Sequence, residues 1–343
     1  MHLWILLFSF VLALILTPLA RRAALRLGIL DFPKDRGVHA APQPLLGGLA
    51  VYISLSLAVL AFYPREETWG VVLAGGLAFL LGLRDDWRPL RPAWKLLGQV
   101  LVALVLYLVG VRISYVTHPF GGGLLYLGSL SLPLTVFWTV ALMNAINLMD
   151  GLDGLAAGVS GIAGATLLFL AAQQGQPELA VLLSAALVGS LLGFLPYNFH
   201  PARIFMGDAG ALTVGLFLAA ITVEGALKSP AALALAVPVL ALGLPLFDTS
   251  LAVVRRLFSG KPVGQADRGH LHHRLLEAGL SHREAVIILY LASAWLGVGA
   301  VAISRMQPWF AFPVLFLAAV SLGFLAWKLG LIPSRAASRA FRH

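Results

Sequence analysis

LPLTVFWTVALMNAINL, residues 132–148, runs for 17 residues without a charge. As a helix it covers most of the hydrocarbon thickness of a bilayer. It is followed at once by MDGLDG, residues 149–154, which brings two carboxylates and two glycines. The stretch therefore reads as a membrane helix that delivers polar groups to one surface. Comparable apolar runs recur along the chain, at roughly 3–20, 46–63, 69–83, 96–111, 155–172, 178–195, 209–227, 231–254, 285–303 and 308–327. With 132–148 they predict an all-α polytopic membrane protein of about eleven transmembrane helices. The composition agrees: 59% of the 343 residues are hydrophobic and 11% are charged, with a mean hydropathy of +0.90. Soluble domains carry about a quarter charged residues.

The net charge of +9 follows from topology. Of the 24 Lys and Arg residues, 20 fall in the loops after the odd-numbered spans or beyond the last one, leaving Arg65, Arg112, Lys228 and Arg305 on the other side. Short basic loops stay cytoplasmic. The expected orientation is N-terminus outside and C-terminus cytoplasmic, in the inner (cytoplasmic) cell membrane, and nucleic acid is not an expected partner. Residues 1–330 are expected to form a single integral-membrane domain, followed by a short basic cytoplasmic tail at 331–343. Arg21 and Arg22 follow the first apolar run, so a retained helix is expected there instead of a cleaved signal peptide. The segment 112–131, with Gly121-Gly122-Gly123 at its centre, is expected to form a short hairpin at the opposite surface. With no cysteine, disulfides, thiolate metal sites and a cysteine nucleophile are excluded.

Eleven of the 15 acidic residues and seven of the nine histidines lie on the cytoplasmic side. Asp85 and Asp86 repel unless a cation joins them. Arg84, Arg88, Lys95 or Mg²⁺ could serve; an interfacial charge cluster that ends a helix is the plainer reading. Asn144, Asn147, Asp150 and Asp153 are spaced by three, so they sweep round about half a helix. Groups of this kind face a cavity, a partner or water, because lipid penalises them. Gly151 and Gly154 allow the helix to break there. Gly207-Asp208-Ala-Gly210 offers a hard-cation ligand just before a new span. Asp248, inside a span, reads as snorkelling or pairing with a neighbour. His270, His272 and His273 lack the spacing of a zinc site and better suit an anionic phosphate. A secondary transporter would hold such groups near the midplane in repeated halves. Here they cluster at cytoplasmic ends without a repeat.

Together these pieces resemble the polyprenyl-phosphate N-acetylhexosamine-1-phosphate transferase family. The matching segments are LGLRDDW with Lys95, NAINLMDGLDGLAAG, ARIFMGDAGAL, PLFDT and RRLFSGKPVGQADRGHLHHRLLEAGLSHRE, in order over about residues 31–284. The last is more similar to the WecA/TagO branch than to the MraY branch. GVHAAPQPLLGG, residues 37–48, resembles the family's early cytoplasmic loop.

The resemblance implies a Mg²⁺-dependent enzyme at the cytoplasmic interface, with Mn²⁺ able to substitute. Its partners are a UDP-sugar, a polyprenyl phosphate and the bilayer, and a homodimer is compatible with it. It favours UDP-N-acetylglucosamine as donor, the muramoyl-pentapeptide nucleotide being the second candidate. Asp85, Asp86, Lys95, Asp150, Asp153, His270, His272 and His273 are the implied catalytic set. Asn144, Asn147, His39, Arg203 and Arg268 are the implied substrate contacts, and Asp208 with Asn147 the implied metal ligands. A phosphate monoester has its second pKa at about 6, so the lipid phosphate is already largely a dianion. Direct attack on the β-phosphorus is therefore favoured over a phospho-enzyme.

Overall fold

The computed structural model describes residues 1–32, 42–117, 124–173, 175, 177–225, 236–258, 269–304, 306 and 308–328. Its helices are α1 (His2–Leu27), α2 (Gly47–Phe62), α3 (Glu66–Trp87), α4 (Pro92–Leu108), α5 (Ser131–Met149), α6 (Leu155–Gln173), α7 (Glu178–Asn198), α8 (Gly207–Glu224), α9 (Ala236–Ala241), α10 (Gly243–Phe258), α11 (Leu271–Glu277), α12 (His282–Ser304) and α13 (Pro308–Lys328). Among the described residues, seven helical segments are long and apolar enough to cross a membrane: α1, α3, the segment Gly128–Met149 that contains α5, α6, α7, α8 and α12. Two shorter apolar helices, α2 and α4, stand beside them. The chain is a predominantly α-helical polytopic membrane protein.

α8 is the axis of the bundle. Apart from Asp208, every side chain and glycine of this helix is buried, and it packs against α2, α3, α5 and α7. Helices in lipid gain no hydrophobic drive from association, so close backbone approach matters. Glycine supplies that approach. A Cβ on Gly48 of α2 would run into the backbone of Ala209 and Gly210, and one on Gly82 of α3 into the backbone of Asp208 and Ala209. Trp138 of α5 donates its indole N–H to Thr222 of α8 at 2.8 Å. Replacing Gly48 by Val is expected to destabilise the bundle by about 1–3 kcal/mol, read as a lower melting temperature in detergent. Val at Gly161 of α6, where an added Cβ has only one neighbour, at 4.0 Å, should be tolerated.

The expected hairpin is present. β3 (Tyr115–Thr117) pairs antiparallel with β4 (Leu124–Tyr126), and Tyr115 faces Tyr126. The three central glycines lie outside the described residues. A second small ladder, β1 (Leu30–Asp31) with β2 (Gln43–Pro44), closes the chain between α1 and α2.

Three expectations need correction. The single span at 231–254 is two helices, α9 and α10, separated by a turn at Leu242. Gly243 and Pro245 explain the break, because Pro245 has no N–H with which to continue the ladder from α9. The loop at 255–284 contains the short helix α11, and α1 extends past its apolar run until Gly28 closes it at φ 69°.

Candidate active site

The end of α3, the start of α4, the end of α5 and the start of α8 converge at one end of the bundle. Their meeting point is the Lys95 ammonium. Its Nζ lies 2.5 Å from Asp208 Oδ2, 2.9 Å from Asp85 Oδ2 and 3.0 Å from Asn147 Oδ1. Asn147 returns its Nδ2 donor to Asp208 Oδ1 at 2.7 Å. Asp85 also accepts the Leu90 backbone N–H at 2.6 Å, across the turn between α3 and α4. Three oxygen-bearing side chains thus surround one cation, all partly buried. Carboxylate and amide oxygens form the donor set that hard divalent cations prefer. The residues therefore fit such an ion, at the position that the Lys95 ammonium holds.

Asp86 is one residue from Asp85 but meets a different element. Adjacent positions on a helix point about 100° apart. Asp86 accepts the backbone N–H of Asp208 through Oδ1 at 2.8 Å and that of Ala209 through Oδ2 at 3.0 Å. The first amides of α8 lack intrahelical partners, and Met206, which precedes them, makes no side-chain cap. An acceptor from α3 caps α8 in its place, and a carboxylate there also complements the helix dipole. The backbone of residues 44–48 braces the approach to α8: Phe205 donates to the Pro44 carbonyl at 2.8 Å, and Gly48 donates to that of Met206 at 3.0 Å.

The four polar residues spaced by three along α5 and its turn go to different partners. Asn144 exchanges two hydrogen bonds with Gln99 of α4, at 2.7 and 3.2 Å. Asn147 joins the Lys95 set. Asp150 ends the helix, and burial, followed by the charges of Asp208 and Asp153, pushes its pKa up to about 7. Asp153 accepts from Ala202 N–H at 3.0 Å and lies 2.7 Å from His200 Nδ1.

Because the folded pKa of Asp150 is raised, the folded state holds its proton more tightly than the unfolded chain. Its contribution to stability is complete below about pH 4 and is lost as the pH rises to about 7. In chelator, the melting temperature is expected to fall by a few degrees between pH 5 and pH 8. Asp150→Asn should flatten that slope.

Asp153, His200 and His282 form a second group able to hold a metal, with one ligand atom from each within 4.8 Å of the others. The two imidazoles are stacked, with centroids 4.1 Å apart and planes 17° apart. Ring lone pairs lie in the ring plane, so near-parallel rings send them side by side, and one ring would have to turn to share an ion.

A third buried pair ties the final loop down. His270 Nδ1 lies 2.8 Å from Asp248 Oδ2, and Asp248 Oδ1 accepts the Leu271 N–H at 2.9 Å. Of the two expected readings, snorkelling or pairing with a neighbour, Asp248 therefore takes the second. His272 is buried against Gly151, where an added Cβ would strike its ring. Burial, followed by the charge of His273, holds its pKa down to about 3. His272 is consequently a neutral imidazole at physiological pH. His273 is partly exposed.

Asp85, Lys95, Asn147 and Asp208 are thus in direct contact, with Asp86 behind them and Asp150 within their field. Asn144, Asp153 and His270 belong to neighbouring pairs. Arg203 is exposed, and its backbone carbonyl accepts from Arg21 at 3.1 Å. His39 and Arg268 lie outside the described residues. Sequence reasoning passed over Gln99, which an amide three residues inside an apolar run could have signalled. It also left His200 and His282 without roles, although His282 sits in the last segment that carries the family resemblance and His200 lies two residues before ARIFMGDAGAL.

A profile of the family described as "Glycosyl transferase family 4" matches residues 68–226, which contain the Lys95 cluster and Asp86. A Bacillus subtilis protein named probable undecaprenyl-phosphate N-acetylglucosaminyl 1-phosphate transferase is 36% identical over 326 residues, covering 94% of this chain and 91% of its own. A Mycolicibacterium smegmatis decaprenyl-phosphate N-acetylglucosaminephosphotransferase is 39% identical over 312 residues, covering 81% and 75%. An Escherichia coli K12 undecaprenyl-phosphate alpha-N-acetylglucosaminyl 1-phosphate transferase is 30% identical over 337 residues, covering 94% and 91%. These alignments take in the converging helix ends as well as the spans, and the chain belongs to the polyprenyl-phosphate N-acetylhexosamine-1-phosphate transferase family.

Proposed function

We propose that the chain transfers N-acetylglucosamine 1-phosphate from UDP-N-acetylglucosamine to a polyprenyl phosphate and releases UMP. The observation that carries this reading is the Lys95 cluster, where two carboxylates, an amide and an ammonium meet at the ends of four helices. It gives an interfacial site rich in groups for phosphate and a divalent cation. One substrate is soluble and the other is confined to the bilayer, so such a place is where they can meet. The relatives' names supply the sugar and the lipid.

In this reading Asp208 and Asn147 hold Mg²⁺, which supplies charge neutralisation on the diphosphate when bound. Lys95 then faces the lipid phosphate, oriented by Asp85. A phosphate oxygen of the lipid attacks the β-phosphorus, the bond from that phosphorus to the bridging oxygen breaks, and UMP leaves with the bridging oxygen. Two anions must approach for this to happen, and Lys95 offsets their repulsion. The dianionic nucleophile needs no base. Asp150 and Asp153 lie toward the nucleoside, and the loop holding His270, His272 and His273 faces the diphosphate or sugar. The bundle sits in the inner membrane with eleven spans, the N-terminus outside and the C-terminus cytoplasmic, the broken span α9–α10 counting once.

The test is UMP release by the purified protein given undecaprenyl phosphate, Mg²⁺ and UDP-N-acetylglucosamine. A parallel reaction contains the muramoyl-pentapeptide nucleotide. Release with the first alone is expected, and release with the second alone would move the chain to the peptidoglycan branch. Exchange of labelled UMP into the UDP-sugar without lipid would replace direct attack by a phospho-enzyme.

A further inference from the structure

We infer that Asp86 is a positioning residue. It fixes the first turn of α8, and through that turn the Asp208 carboxylate, without touching substrate. The inference rests on the reading above that Asp208 holds the divalent cation.

The two halves of the Asp85-Asp86 pair have separate surroundings. Asp85 faces the Lys95 ammonium at 2.9 Å. Asp86 engages both oxygens with main-chain donors, one of them the N–H of Asp208 itself at 2.8 Å. Lys95 and Asn147 surround the side chain of Asp208, whereas Asp86 holds its backbone. The junction is tight on every side. Gly82, one turn before Asp86 on the same face of α3, leaves no space for a Cβ against the backbone of Asp208 and Ala209. Gly207 adopts φ +72°, a conformation that L side chains rarely take, and a Cβ there would lie 2.6 Å from Asp86 Oδ2. Met206 offers no cap of its own. Asp86 is therefore the group in contact with the first turn of α8 that fixes where the Asp208 side chain begins. Outer partners of a metal ligand commonly change cation affinity by about 10- to 100-fold when they are removed.

The test measures Mn²⁺ binding by electron paramagnetic resonance on the full-length protein in detergent, with no substrate present. The variants are Asp86→Ala, Asp86→Asn, Gly207→Ala and Asp208→Asn. A capping role predicts that Asp86→Ala weakens Mn²⁺ binding at least about tenfold. Asp86→Asn should stay within about threefold of the parent, because its amide oxygen still accepts one N–H. Gly207→Ala should follow Asp86→Ala although it changes no charge. The pH profile of kcat should be the same for Asp86→Asn and the parent.

If Asp86→Asn binds as weakly as Asp86→Ala and its pH profile loses a limb, Asp86 touches the reacting groups and the inference is overturned. If Asp86→Ala elutes as a folded, monodisperse protein and binds Mn²⁺ like the parent, the cap does not set Asp208 and the inference is again overturned. Asp208→Asn separates the premise from the inference: unchanged Mn²⁺ binding in that variant removes the premise, whereas lost binding with an unaffected Asp86→Ala removes the inference alone.

Discussion

Asp208→Asn is expected to lower kcat by about a thousandfold, while the protein still purifies as a folded bundle. Asn keeps the shape and one acceptor oxygen, so the contact with Lys95 survives in weaker form. What it lacks is the charge that balances the ammonium and draws a divalent cation to the start of α8. Loss of one preorganised electrostatic group in a dry site costs about 10²–10³ in rate, and loss of the cation adds to that. The check is UMP release over a titration of Mg²⁺. The loss should persist at every Mg²⁺ concentration, and Mn²⁺ should not restore activity. A variant that regains full turnover at high Mg²⁺ would show that the cation is held elsewhere.

Lys95→Met should lose activity by at least about a thousandfold and also lose stability. The ammonium lies 2.5 Å from one carboxylate and 2.9 Å from another, in surroundings where the three side chains are only 11–30% exposed. Without it, Asp85 and Asp208 become neighbouring like charges with no counter-ion among the groups described here. Breaking a buried pair costs about 3–5 kcal/mol, and partial exposure lowers that to about 2–3 kcal/mol here. Two further measurements separate the effects. Mg²⁺ should raise the melting temperature of Lys95→Met more than that of the parent, because it replaces the missing charge. The double variant Lys95→Met, Asp208→Asn should regain stability without regaining activity. A double variant as unstable as Lys95→Met would mean that lost packing of the lysine stem, not charge, accounts for the effect.

Much of the architecture is legible in residue pattern, and the losses have identifiable causes. Apolar runs locate α2 to α8, α12 and α13 closely because a lipid environment imposes a single strong requirement on each. Hydropathy alone cannot reveal the turn at Leu242, since both halves of that span are apolar; Gly243 and Pro245 carry the signal. The helix α11 is only seven residues long, too short for its Leu271 and Leu275 spacing to stand out as a periodic stripe. At the site, spacing by three shows that Asn144, Asn147, Asp150 and Asp153 fan round a helix, but not which neighbours receive them. The contact between Lys95 and Asp208 spans 113 positions and is created by packing. Asp85 and Asp86 read as one acidic unit along the chain, and only the helix rotation between them sends one to Lys95 and the other to the amides of α8.

The reaction itself is tested most directly by following the phosphorus. The purified protein is given undecaprenyl phosphate, Mg²⁺ and UDP-N-acetylglucosamine carrying ³²P at the β-phosphate and ³H in the sugar. Both labels are expected to enter the lipid fraction one to one, leaving unlabelled UMP in the aqueous phase. Tritium entering the lipid without phosphorus would mean transfer of the sugar alone. Neither label entering, from folded protein, would contradict the assignment of this substrate pair.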